Sequence, residues 1–133
     1  MFQTFTIKNK LKKAFSDCFD PLKSDLDNVP LPMQKDRFIT ATILGTCRGY
    51  TDALKTDEKT FLTVVDAVFE EVFRQDSLTV QTLTESWLNS ADEVFMAAYY
   101  NAKSKASEQL DLSWLQEYAQ VHFEVAFQVN HST

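Results

Sequence analysis

The sequence predicts an all-α protein, a compact bundle of five to six helices around a central buried helix at about 34–54. Three observations predict it. Apolar side chains recur at helical spacing along nearly the whole chain. Only residues 23 to 33 are dense in turn and breaker residues. The two glycines of the chain, Gly45 and Gly49, stand four apart inside an apolar stretch rather than at turns. The 133 residues are expected to form a single helical domain, 1–133.

The central helix is justified by Phe38, Ile39, Ile43, Cys47, Tyr50 and Leu54, which recur at helical spacing, with Ala41 and Leu44 widening the band. A helix that is apolar on most sides is buried. Each interior glycine costs about 1 kcal/mol relative to alanine, so the pair needs a reason. Together with Ala41, Thr42 and Thr46 they form a smooth face of small residues. Such a face admits either a closely crossing helix or a ligand in a slot, and close packing is the reading adopted. Arg48 and Asp52 argue against a membrane-spanning use of the same spacing.

The other elements follow in order. Residues 5 to 19 form a helix whose face carries Ile7, Leu11, Ala14, Phe15, Cys18 and, past Pro21, Leu22; its lysines fall on the other sides. Thr56, Asp57 and Glu58 read as an N-cap and acidic first turn, opening a helix at about 57–75 with Phe61, Val65, Val68, Phe69, Val72 and Phe73 on one stripe. From 78 to 107 one stripe runs without a phase slip, through Val80, Leu83, Trp87, Ala91, Val94, Phe95, Ala98, Ala102 and Ala106, and favours one long helix. A capping-box pattern at Ser90 to Glu93 marks where it would kink or split. The segment 113 to 129 reads two ways. Ser113 and Gln116 cap a helix with Trp114, Tyr118, Val121, His122, Val125 and Val129 on a face, whereas 121 to 129 also alternates like a strand. A lone strand needs a partner, and only residues 2 to 7 offer a weak one, so the helix is taken.

Composition narrows the function classes. A net charge of −6 argues against nucleic-acid binding through phosphate neutralisation, and suits a protein that docks on a basic partner. Eleven phenylalanines predict a phenylalanine-rich core. No stretch approaches the length of a transmembrane helix. No apolar run follows the N-terminal lysines, so no secretion signal is expected, and the cytoplasm is the expected location. Cys18 and Cys47 read as reduced core thiols.

No catalytic constellation is visible, and the chain is read as non-enzymatic and without a cofactor. Two glycines leave no phosphate-binding loop. His131 lies in the terminal tail, and His122 reads as a core histidine with one hydrogen bond. Neither cysteine has zinc-ligand spacing, and the Glu-x-x-His pairs of a di-iron bundle are missing. Asp52, Asp57 and Glu58 span the turn after the central helix and are the weak candidates for a cation site, since hard cations take several carboxylate oxygens. Helix capping is the simpler account of Asp57 and Glu58. Over residues 38 to 75 a buried helix, an Asp-bearing turn and an Asp-Glu-opened helix are faintly similar to the TerB-like tellurite-resistance domains, with Ala53 where that family places glycine. No membership is drawn from it.

Apolar residues off their stripes carry the functional expectation. Met96 and Tyr100 on the long helix, and Phe123 and Phe127 on the last, project away from the core faces, and paired large apolar residues can mark an interface. The expected function is a protein-interaction domain (a small regulator, adaptor, chaperone or inhibitor) working through an exposed helical surface, its partner a protein, or a second copy in a homodimer. The alternative is a helical domain that binds a divalent cation or a small apolar ligand.

Overall fold

The computed structural model describes residues 2–22 and 31–123, and the described residues are helical with no strand. The helices are α1 (Phe2–Phe19), α2 (Leu31–Gln34), α3 (Arg37–Ala53), α4 (Glu58–Ala67), α5 (Ser77–Asn89), α6 (Glu93–Glu108) and α7 (Ser113–His122). A single 3-10 turn, Asp20–Leu22, ends α1, and a π-helical turn, Val68–Val72, continues α4.

Helix α3 is the central element. Asp36 caps it, accepting from the Ile39 N–H at 2.9 Å, and ten of its residues, Gly45 and Gly49 among them, are buried. Its broadest contact is with α6, and the two glycines face that helix. A Cβ on Gly45 would fall on the Tyr99 carbonyl oxygen and 3.0 Å from the Ala102 Cβ; one on Gly49 would fall on the Lys103 carbonyl oxygen. Buried Ala98, Ala102 and Ala106 supply the small residues from the α6 side. Small residues on both helices let the backbones approach closely, which offsets the propensity cost of the glycines.

The main core lies on the other side of α3. Ile7, Leu11, Phe15, Cys18 and Phe19 of α1 meet Ile39, Ile43 and Cys47 of α3, Val64 and Val68 from α4 and its π turn, and Leu115 of α7. Its centre is a chain of rings: Phe15 lies parallel to Phe19, Phe19 meets Phe73 edge-on at 5.0 Å between centroids, and Phe73 meets Phe69 edge-on. Fully burying such a ring stabilises by about 2–3 kcal/mol. A smaller cluster of Ala41, Phe95 and Ala98 joins α6 to α3, with Trp87 of α5 packed on it.

The structure revises several boundaries. The expected long helix at 78–107 is two helices. Ala91 adopts φ 51°, the Ala91 and Asp92 N–H groups bond back to the Leu88 and Trp87 carbonyls, and Asp92 caps α6 by accepting from the Phe95 N–H at 2.9 Å. This closing geometry usually has glycine at the left-handed position. The break folds Trp87 back onto Phe95, centroids 5.4 Å apart. Helix α3 ends the same way at Lys55, φ 56°, with the Lys55 and Thr56 N–H groups on the Asp52 and Thr51 carbonyls. The expected helix 57–75 leaves α-geometry at Val68 and stops before Arg74, φ 55°. Residues 31–33, expected in the loop, belong to α2, because proline is tolerated in a first helical turn and Met33 is buried there. Of the ambiguous stretch 121–129, Val121 and His122 are helical, and 124–129 lie outside the described residues.

Candidate functional site

An apolar cleft lies between α4 on one side and α5 with α6 on the other, floored by Leu44 of α3 and Phe61 of α4. It has two lobes that share Leu44, Phe61 and Thr84. One, of about 240 Å³, is lined by Leu88 of α5 and by Phe95, Met96, Tyr99 and Tyr100 of α6. The other, of about 400 Å³, runs along Leu62, Val65 and Phe69 and faces Ser77, Val80 and Gln81 of α5. Asp66 of α4 and Glu85 of α5 also line this lobe. Leu62, Leu88 and Tyr100 stand at the groove with 52%, 50% and 57% of their surface exposed, so apolar area reaches water on both walls.

The groove exists because α5 is held lightly. Only Val80 of its thirteen residues is buried. The turn at Ala91 sets α5 back against α6 and leaves a gap toward α4. On that wall the Ser77 and Thr84 hydroxyls are shielded from solvent with no hydrogen-bond partner among the described residues. At the floor, the Arg48 guanidinium lies 3.6 Å over the Phe61 ring and makes two hydrogen bonds to Glu58, at 2.8 and 3.0 Å. The Glu58 partner raises the Arg48 pKa, and the same bonds lower that of Glu58.

The residues singled out by sequence divide among different places. Met96, half-buried, and Tyr100, exposed, both line the groove. Phe123 is not on an outer face: α7 ends at His122, and Phe123, one residue past it, is half-buried against the main core. Phe127 lies outside the described residues. Gly45 and Gly49 face the α6 backbone, which takes the room a ligand would need there. The three carboxylates of the turn have separate engagements. Asp57 caps α4 through the Thr60 N–H at 2.8 Å, Glu58 holds Arg48, and Asp52 lies 4.0 Å from Lys103 Nζ. Among the described residues no group of three or more His, Cys, Asp and Glu side chains is placed to hold a metal ion.

The groups that sequence reading weighed for chemistry are also accounted for. Burial pushes the Cys18 and Cys47 thiols up to about 12, far from the reactive thiolate. His122 is exposed rather than in the core; its ring stacks on Tyr118 at 4.0 Å and its Nδ1 lies 3.0 Å from the Tyr118 carbonyl oxygen. The Tyr118 hydroxyl donates to Asp36 at 3.1 Å, and its pKa is raised by burial and by that carboxylate. A cleft of about 430 Å³ between α1 and the α6–α7 link is larger than either lobe, but its charges are engaged. Lys13 pairs with Asp17, Lys10 lies over Tyr50, and Asp111 accepts from the Ser113 N–H.

Leu44, Phe61, Leu62 and Leu88 are groove residues that the sequence reading did not single out. Leu62 and Leu88 each stand next to a stripe residue, and the off-stripe criterion that found Tyr100 would have found them. Leu44 and Phe61 belong to core stripes, and nothing local separates them from the rest.

What the fold and groove define is a helical bundle with an open apolar cleft. No protein family's sequence model matches the chain, and no curated protein or solved structure matches it either. Among the described residues no helix is long and apolar enough to cross a membrane.

Proposed function

We propose that the chain is a non-enzymatic protein-interaction domain, a small regulator, adaptor, chaperone or inhibitor, and that its docking surface is the groove between α4 and the α5–α6 pair. The observation that carries this reading is the apolar lining that reaches water at Leu62, Leu88 and Tyr100. An apolar cleft with a few polar groups in its wall is the usual place for a binding site. Site-specific photocrosslinking in cells tests it. A photoreactive phenylalanine at Tyr100 is expected to give a discrete protein adduct that Leu62→Asp removes. The same group at Gln120, on the exposed side of α7, is expected to give none. Equal adducts from both positions, or none from Tyr100, defeat the proposal.

The second reading, a small apolar ligand, is favoured by the shielded Thr84 hydroxyl shared by both lobes, since buried hydroxyls are usually hydrogen-bonded. Native mass spectrometry of the purified chain, with and without dodecanoate, tests it. A bound mass that Leu44→Trp excludes supports this reading. The divalent-cation variant has no such support, since Asp52, Asp57 and Glu58 are separately engaged; a calcium or magnesium thermal shift that Asp52→Asn abolishes is what it would require.

A further inference from the structure

The geometry points to an amphipathic α-helix of a partner protein, carrying lysine or arginine beside its apolar stripe, as the occupant of the groove. This rests on the interaction reading above and names the partner's chemistry.

Two observations lead to it. The first is the secondary structure of the walls. Among the described residues there is no strand, so the groove offers no sheet edge on which an extended peptide could pair. A groove with helical walls and an apolar floor suits a helix laid in it, anchored by residues at i, i+3, i+4 and i+7. The second is charge. The residues lining the two lobes include Asp66 and Glu85 and no lysine or arginine. Asp66 stands on the α4 wall and Glu85 on the α5 wall, and both are exposed. Neither has an ion-pair partner among the described residues. The cation at the groove floor, Arg48, lies over Phe61 and is already held by both oxygens of Glu58. An incoming helix therefore meets an apolar floor between two unpaired carboxylates. Cations on both flanks of its apolar stripe match that arrangement, and the net charge of −6 adds long-range attraction. An acidic helix would place like charges against both walls.

The test uses the full chain and two fluorescein-labelled synthetic helical peptides with the same leucine stripe. One carries lysines at the flanking positions, the other glutamates. Fluorescence anisotropy gives the affinities, and amide chemical-shift mapping gives the site. The lysine peptide is expected to bind, with shifts centred on Leu44, Leu62, Thr84 and Tyr100. Reversing both carboxylates, Asp66→Lys with Glu85→Lys, is expected to weaken it about fivefold, the size of two exposed ion pairs. The neutral pair Asp66→Asn with Glu85→Gln serves if the reversal disturbs the fold. A charge-matched control away from the groove, Glu108→Lys with Glu117→Lys, is expected to have less effect.

Equal binding of the two peptides overturns the proposal, as does an equal effect of the control reversal, or shifts that map elsewhere. Dimerisation that Leu62→Asp breaks, or displacement of the lysine peptide by dodecanoate at stoichiometric concentration, also overturns it, in favour of a second copy or a small ligand. If the Tyr100 crosslink persists while the charge preference is absent, only the partner's chemistry falls. If both fail, the interaction reading falls with it.

Discussion

Gly45 and Gly49 show how single residues set the terms here. Glycine is costly in a helix interior, yet a Cβ at either position would meet a backbone carbonyl oxygen of α6. A backbone atom cannot swing aside as a side chain would. Gly49→Ala is therefore expected to lose about 1–2 kcal/mol, the cost of overpacking exceeding the gain in helix propensity, read as a lower urea midpoint. The opposite sign is expected at Ala91. Its left-handed conformation is one that glycine adopts freely, so Ala91→Gly should raise stability by about 1 kcal/mol. The surface carboxylates give a pH effect. Hydrogen bonds lower the pKa values of Glu58 and Asp92, through Arg48 for the first, and chiefly through the Phe95 N–H and then Arg37 for the second. A depressed carboxylate stabilises fully above its ordinary value, 4.5 for Glu58 and 3.8 for Asp92, and the contribution is lost as pH falls through the lower folded value. Glu58→Gln should flatten part of the acid limb in a plot of urea midpoint against pH.

At the scale of elements, α5 stands apart. It is capped properly, with Asp76 accepting from the Thr79 N–H at 3.0 Å, but buries only Val80. Local opening is easiest where few apolar contacts hold a segment. Hydrogen exchange is expected to release the α5 amides well before those of α3, whose protection should track global unfolding. Protection of α5 equal to that of α3 would contradict this. The division between α5 and α6 was only half legible. A capping pattern near Ser90 flagged the place, but the usual glycine signal was missing, because both glycines serve the α3–α6 crossing and Ala91 takes the left-handed position. The end of α3 at Lys55 was legible from the capping residues Thr56 to Glu58 that follow it, whereas the left-handed residue Arg74 had no glycine to mark it.

For the whole molecule, core and groove should respond differently to substitution. Phe73 is fully buried among Phe19 and Phe69, so Phe73→Ala should cost about 3–5 kcal/mol and shift the thermal midpoint sharply. Leu88→Asp, on a half-exposed residue of the groove wall, should leave the midpoint nearly unchanged while removing the binding that the groove supports. A large loss of stability from Leu88→Asp would mean that α5 is more firmly packed than its burial indicates. The groove was legible only in part. Met96 and Tyr100 stand out on α6 because they leave its stripe. Leu44 and Phe61 do not, since a core stripe looks the same whether a neighbouring helix covers it fully or leaves a gap.

The helical class, the central place of the stretch around Gly45 and Gly49, and the phenylalanine core were all readable from residue order, because each depends on the spacing of side chains along one helix. Tertiary structure alone decided which helices meet. It set α6 against the glycines, folded α5 back at Ala91, turned Phe123 inward, and opened the groove between α4 and α5. Those outcomes depend on contacts between residues far apart in the chain, and local periodicity carries no record of them.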